Sequence, residues 1–323
     1  MRQRQQDPLL LPDHLVTRGL DRLSARRRDP DWLAARMTDA GTRFVPVLDG
    51  QNLFAPNGPT PAYLAPDQVS ELVAARPPIV LLGQVGKTVC FAVGIRSTDA
   101  LPAEHGRFQP LRQTAALLSE QDCALLALAK AMIEWHARHR FCGDCGSPTE
   151  SREAGHILVC TNKRCGVEHF PRTDPAIIVL VTHADRCLLG RKTGWPKGMH
   201  SAIAGFVEPG ESLEQTVARE VKEETGLDIE QIRYHASQPW PFPRSLMLGF
   251  YARAATTEIV VDEFELETAR WFTREKICEG LRNSSFALPS SISIARRLIR
   301  DWFDQGERGH LETQVSGFVP SST

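Results

Sequence analysis

The sequence predicts an α/β protein: an α/β/α sandwich with a mixed sheet, preceded by a four-cysteine ribbon and an α+β N-terminal domain. Three observations carry that expectation. From Ala176 onward, apolar strands alternate with loops and short helical stretches, the pattern of a sheet covered by helices. Ahead of them, two cysteine pairs flank a short hairpin-like segment. Ahead of those, strand-like runs over 43–95 give way to a helical run over 108–139.

The bulk composition narrows the class. A chain of 323 residues implies about two domains, or three if one is small. Apolar content of 42% and charged content of 24% are those of a soluble globular protein. A net charge of -1 implies no general attraction to nucleic acid or membrane. The longest apolar-leaning stretch, 114–133, contains Glu120, Asp122 and Lys130 and is no membrane span. The first residues lack a signal peptide's apolar core and cleavage site, so a cytoplasmic location is expected. Eight cysteines in a chain this long do not make a disulfide scaffold. Cys90, Cys123, Cys187 and Cys278 are scattered in apolar surroundings and read as buried thiols.

In chain order, the N-terminal domain is expected over 1–138. Residues 1–30 are polar and rich in arginine, ending in Arg26-Arg27-Arg28-Asp29-Pro30, and read as a flexible arm. A short helix is predicted over 31–37, a strand over 43–48 and a hairpin over 79–95. The hairpin turn holds a decoy. Gly83-Gln84-Val85-Gly86-Lys87-Thr88 imitates a phosphate-binding loop, but two residues separate the glycines where four are required. It also lies between strands rather than opening a helix. Residues 108–139 read as mostly helical.

The ribbon is expected over 139–172. Cys142 and Cys145 are followed, after fourteen residues, by Cys160 and Cys165. Four thiolates close a tetrahedral structural zinc site with no open position, so one structural Zn²⁺ is implied and a catalytic role for it is not. Gly146 and Gly166, each directly after a cysteine, loosen the knuckle turns.

The C-terminal domain is expected over 173–305, with a flexible tail over 306–323. Strands are predicted over 176–182, 187–191 and 201–207, separated by a loop rich in Gly, Pro and Lys. A helix follows over 213–225. Ser212 and Gln215 make a capping box at its start and Gly226 stops it. Leu213, Val217 and Val221 form its buried stripe. Glu220 and Glu224 lie one turn apart on another face, with Glu223 beside them. Carboxylates that close repel one another, and a hard divalent cation removes the cost. Further strands are predicted over 229–234, 245–255 and 268–272, and an amphipathic helix over 290–303.

The stretch from Gly205 to Leu227 reads Gly, five residues, Glu211, seven residues, Arg219-Glu220-Val221, one residue, Glu223-Glu224, one residue, Gly226-Leu227. It resembles the Nudix hydrolases, with every fixed position of their motif filled. Ser237-Gln-Pro-Trp-Pro-Phe-Pro-Arg-Ser245 follows and reads as stiff and extended. Together with the four-cysteine ribbon it resembles the NADH pyrophosphatase subfamily over roughly 111–301; the first hundred residues match only as its expected extra domain.

The resemblance implies metal-dependent cleavage of the diphosphate of NAD(H) to nicotinamide mononucleotide and AMP, and removal of NAD caps from RNA 5′ ends. It implies more than one Mg²⁺ or Mn²⁺, held by Glu220, Glu223, Glu224 and Glu265 with the backbone carbonyl of Ala204. Glu267 would point the same way as Glu265 from a strand, leaving that choice open. Glu223 or Glu265 would be the general base. Gln238, Pro239, Trp240, Pro241, Phe242, Pro243, Arg244 and Ser245 would line the dinucleotide site. Phe206 and Phe170 would sandwich the nicotinamide, and Arg112 and Ala295 would add substrate contacts. A glutamate present before the third zinc cysteine in some relatives is Gly155 here, so any contact it makes is lost or supplied elsewhere. A homodimer is implied, with no membrane partner. Three other readings compete: a Nudix hydrolase of ADP-ribose or dinucleoside polyphosphates, a nucleotide-binding regulator that does not cut, and a zinc-ribbon nucleic-acid module. The intact glutamates argue against the regulator and the near-neutral charge against the nucleic-acid module.

Overall fold

The structure is a computed structural model that describes residues 15–74, 77–97, 101 and 103–316. It divides into two compact units. One holds the described residues up to Thr173 together with Trp240–Arg244; the other holds Asp174–Pro239 and residues 245–316.

The first unit opens with β1 (Leu20–Asp21) and α1 (Pro30–Thr38). Asp29 caps α1 by accepting from the Trp32 N–H at 3.0 Å, and Pro30 stands at its first position, where no N–H is needed. Then come β2 (Arg43–Leu48), β3 (Gln51–Phe54), α2 (Pro66–Ala74), β4 (Ile79–Val85), β5 (Thr88–Gly94) and β6 (Arg107–Gln109). Asp49 and Gly50 both take positive φ, 47° and 72°, as a two-residue hairpin turn between β2 and β3 requires. The strands form one sheet in the order β1-β4-β5-β2-β3-β6. Phe44 and Phe91 stack at 5.5 Å in its core.

The expected loose arm is thus corrected. Leu20 and Asp21 pair with Val85 and Gln84 at the sheet edge, and the Asp21 carbonyl comes so close that only a glycine fits at Gly83. Residues 1–14 lie outside the described residues. The phosphate-loop decoy is a β4–β5 turn with Gly86 at φ 58°. The helical run after it is α3 (Leu111–Thr114) and α4 (Glu120–Arg138), the latter capped by Ser119 and lying across the sheet.

The ribbon contributes β7 (Thr149–Arg152), β8 (Ile157–Cys160) and β9 (Glu168–His169), a three-stranded sheet. It is docked on its neighbours. His156 Nε2–H donates to the Leu81 carbonyl at 2.7 Å, and His136 Nε2–H donates to the Gly155 carbonyl at 2.8 Å. Gly155, at φ 92°, lies against β4, where a Cβ would come within 2.8 Å of the Ile79 oxygen.

The second unit holds β10 (Asp174–His183), β11 (Arg186–Arg191), β12 (Ile203–Phe206), α5 (Leu213–Thr225), β13 (Ile229–Trp240), β14 (Ser245–Ala254), β15 (Thr268–Thr273), α6 (Arg274–Arg282), α7 (Ile294–Phe303) and α8 (Leu311–Ser316). Its sheet runs β13-β14-β10-β11-β15, with β12 beside β10. The β10–β14 pair is parallel, whereas β10–β11, β10–β12 and β11–β15 are antiparallel, so the sheet is mixed. β10 is buried on both faces and its side chains alternate between them. Ile177, Val179 and Val181 join Val217 and Val221 of α5, while Ile178 and Leu180 join Leu298, Ile299 and Trp302 of α7. The expected tail is also corrected in part: Leu311 of α8 is fully buried in that second cluster. Residues 317–323 lie outside the described residues.

Candidate active site

α5 begins and ends where its sequence dictates. Ser212 Oγ accepts from the Gln215 N–H at 3.2 Å, Gln215 Oε1 accepts from the Ser212 N–H at 2.8 Å, and Gly226 turns out at φ 70°. Val217 and Val221 are fully buried, which fixes the rotation of the helix and sends its acidic face toward β12.

Arg219 orders that face. Its Nε and Nη2 donate to the two Glu211 oxygens at 2.6 and 2.9 Å, and Nη2 also donates to the Phe206 carbonyl at 3.0 Å. Its Nη1 reaches Glu220 at 2.8 Å and Glu223 at 2.9 Å. The Arg219 bonds hold the Glu211 carboxyl at about 2, well below the usual range. Glu211 is therefore a latch between the 206–211 loop and the helix. Gly205 serves the same packing: a Cβ there would lie 1.9 Å from Glu220 Cδ, so the Glu220 carboxylate rests directly on the strand that carries Ala204.

Glu224 is the buried member, 2% exposed, and its Oε2 takes no hydrogen bond from any described group. Burial pushes its carboxyl up to about 7, against the pull of Lys192 and helped by repulsion from Glu220 and Glu265. Burial also raises Glu220, with Arg219 opposing. Lys192, on the loop after β11, places Nζ 3.4 Å from Glu224 and 3.3 Å from Glu265. Burial works against its charge, but the two carboxylates outweigh it and raise its pKa. Glu265 and Glu267 go different ways: Glu267 pairs with Arg191 at 3.1 Å, leaving Glu265 beside Lys192 and Glu224.

These residues suit a divalent cation. The donors are all oxygen, as Mg²⁺ and Mn²⁺ prefer, and the orphaned Glu224 oxygen is the kind of buried atom that a cation satisfies. Among the described residues, the cysteines converge within 4.8 Å and the carboxylates do not, being paired instead with Arg219 and Lys192.

The expected substrate residues fall on both units. On the second, Phe206 is 58% exposed at the end of β12, and Ala295 is buried in the first turn of α7. Gln238 is buried with its amide engaged: Nε2 donates to the Ile292 carbonyl at 2.9 Å and Oε1 accepts from the Ile294 N–H at 2.8 Å. Ser245 opens β14 opposite Asp174, and Pro239 is exposed near the end of β13. On the first unit are exposed Arg112 on α3, Phe170 (46% exposed) and Trp240–Arg244. Trp240 and Phe242 meet edge to face at 5.1 Å, and Lys130 of α4 lies 6.0 Å from the Phe242 ring. The segment is not extended throughout. Ser237–Trp240 end β13 as strand, and Pro241–Arg244, including Pro243, form a turn.

The four ribbon cysteines bring their Sγ atoms within 4.8 Å of one another. Cys142–Cys165 and Cys145–Cys160 are 3.8 and 3.4 Å apart, against about 3.8 Å for a tetrahedron of 2.3 Å Zn–S bonds. Gly146 and Gly166 take φ 72° and 59°, as the knuckle turns require.

Sequence reasoning missed Lys192 and the latch role of Glu211. Lys192 stands in a loop with no periodicity and its partners are 32 and 73 residues away (224 − 192 and 265 − 192), so no local pattern marks it.

A carboxylate-bearing helix on a mixed sandwich, with one buried acid oxygen left without a donor, is fitted to a divalent cation of the kind that assists hydrolysis at phosphoryl centres. Family models match in chain order an NADH pyrophosphatase-like rudimentary Nudix domain over 41–135, an NADH pyrophosphatase zinc ribbon over 137–170 and a Nudix domain over 172–289. The NAD-capped RNA hydrolase NUDT12 of Homo sapiens is 34% identical over 333 residues, covering 88% of this chain and 71% of that protein. The NAD-capped RNA hydrolase NudC of Mycobacterium bovis is 41% identical over 297 residues, covering 88% and 92%. That of Stutzerimonas stutzeri is 48% identical over 193 residues, covering 60% and 66%. This chain belongs to the Nudix hydrolase superfamily, in the NADH pyrophosphatase and NAD-capped RNA hydrolase subfamily. Among the described residues no helix is long and apolar enough to cross a membrane.

Proposed function

We propose that this protein hydrolyses the diphosphate bridge of NAD(H) to nicotinamide mononucleotide and AMP, and cuts the same bridge in NAD-capped RNA, releasing nicotinamide mononucleotide and leaving a 5′-monophosphate RNA. The observation that carries the reading is the order of three modules in one chain, rudimentary Nudix domain, zinc ribbon and complete Nudix box, with the box's acids gathered on α5. Relatives similar to this chain are named for NAD-capped RNA and NAD(P)H.

Glu220, Glu223, Glu224 and Glu265, with the Ala204 carbonyl, would hold Mg²⁺ or Mn²⁺. When bound, the ions neutralise the diphosphate and acidify a water. Glu211 and Arg219 keep Glu220 and Glu223 in place. Glu223 and Glu265, 57% exposed each, are accessible enough to take the water's proton. Phe206 offers an exposed ring for the nicotinamide; Phe170, Arg112 and Trp240–Arg244 are assigned to the substrate by the family resemblance. Gln238 acts one step back: it holds the first turn of α7 and so places Ala295. The Cys142, Cys145, Cys160 and Cys165 zinc is structural. The working unit in this reading is a cytoplasmic homodimer.

The test is kcat/KM, with Mg²⁺ or Mn²⁺, on NADH, NAD⁺, ADP-ribose, a dinucleoside polyphosphate and NAD-capped RNA. NADH or the capped RNA should lead, and the Glu223→Gln, Glu224→Gln double variant should be inactive with its fold intact. A lead for ADP-ribose would overturn the substrate reading; normal turnover by the double variant would overturn the site.

A further inference from the structure

We propose that Lys192 is a resident cation of the carboxylate cluster, which divalent metal must displace, so that this side chain sets how much metal the enzyme needs. The inference rests on the hydrolase reading of the site but not on which dinucleotide is cut.

Three observations meet at this residue. Lys192 Nζ stands between the buried Glu224 and the exposed Glu265, 3.4 and 3.3 Å from them, the two acids that join helix α5 to the loop before β15. Glu224 is 2% exposed and its other oxygen has no donor among the described groups, so Lys192 is the one cation paired with it there. Glu220 and Glu223 already have a counter-charge in Arg219, which is itself fixed by a two-point bond to Glu211 and by the Phe206 carbonyl. The cluster thus has one anchored cation and one on a flexible stem. Arg219 belongs to the architecture. Lys192 is 38% exposed and reaches in from a loop.

The two charges compete in sign and place. A divalent ion on Glu224 and Glu265 would meet an ammonium roughly 4 Å off, and even at the dielectric of water that repulsion weakens binding by an order of magnitude or more. Swinging the lysine outward relieves the repulsion but strips it of both carboxylates. Either way the metal binds less tightly than it would to the same acids with a neutral residue at 192. The benefit to the protein is that Glu224 is not left as an unpaired buried charge when metal is scarce.

The experiment measures Mn²⁺ binding by the free-ion EPR signal, without substrate, in zinc-loaded full-length protein. Lys192→Gln should bind Mn²⁺ about tenfold more tightly than wild type, and the metal concentration for half-maximal NADH hydrolysis should fall in parallel. Lys192→Arg keeps the charge and should stay near wild type, which separates charge from shape. Unchanged or weaker Mn²⁺ binding in Lys192→Gln overturns the inference, as does a tightening that Lys192→Arg shares. Wild type that binds no Mn²⁺ at all would overturn the site reading itself, and with it the inference.

Discussion

Gly205 and Glu220 occupy the same few cubic ångströms, and the chemistry depends on which of them yields. The glycine has no side chain, so the Glu220 carboxylate lies flat on β12 and Arg219 can hold it there. Gly205→Ala inserts a Cβ 1.9 Å from Glu220 Cδ, which no real contact tolerates. The carboxylate must swing away, since the strand is pinned by its pairing to β10. A displacement of about an ångström in a catalytic group costs on the order of a hundredfold in rate. The expected result is that kcat/KM falls by about that factor, while thermal unfolding moves little because the new methyl displaces a partly exposed acid and not the core. Turnover within a factor of three of wild type would show that Glu220 is not a metal ligand. This residue-scale logic was half legible in sequence. The spacing from Gly205 to Gly226 named the acids, but not why the glycine is needed. Nor did it show that Glu211 is bound to Arg219 rather than to the reaction, or that Lys192 joins the group. Those facts depend on contacts across loops that leave no periodic trace.

Helix α5 is the element that converts sequence into a site, and its ends were legible because they are set by local chemistry. The capping box satisfies two backbone donors reciprocally, and Gly226 accepts the left-handed turn that closes the helix. Ser212→Ala removes the acceptor for the Gln215 N–H at a position where no other described side chain takes over. It should destabilise the protein by about 1 kcal/mol in denaturant unfolding, with the slope of the transition unchanged. Loss of the cap should also raise KM for metal, because Glu220 lies only two turns in. An unaltered midpoint would mean that burial of Val217 and Val221 alone holds the helix. The Trp240–Arg244 turn was less legible for a physical reason. Alternating prolines restrict φ, but they are compatible with an extended chain and with a turn alike. What distinguishes the two is tertiary: β13 runs on through Pro239 to Trp240, and the chain must then reverse to begin β14 at Ser245.

At the scale of the molecule, the sequence announced a ribbon and an extra N-terminal domain but not that they fold as one unit, nor that the extra domain matches a rudimentary Nudix domain. Its acids and glycines are not arranged as a Nudix box, so its match to a family model is what reveals the kinship. The joint between ribbon and domain is polar, and two histidines pin it, His156 to Leu81 and His136 to Gly155. His156 donates to Leu81 from a site where burial drives its pKa down to about 4, with Arg27 and Arg22 adding to the effect and the bond to Leu81 opposing it. An unfolded histidine titrates at 6.5, so between 6.5 and about 4 the unfolded chain binds the extra proton and the folded one does not. The contribution of His156 is therefore complete above 6.5 and is lost as pH falls toward 4. His136, lowered by burial in the same joint, acts in the same direction. His156→Gln retains an N–H for Leu81 and cannot titrate. Wild type should lose stability from pH 7.5 to 5 faster than His156→Gln, measured by denaturant midpoints with zinc held in excess. The gap should close above pH 7, where His156 is neutral in both states. Parallel pH profiles for the two proteins would mean that His156 does not carry the acid sensitivity of the joint, which His136 and the Arg28–Glu153 pair then hold without it.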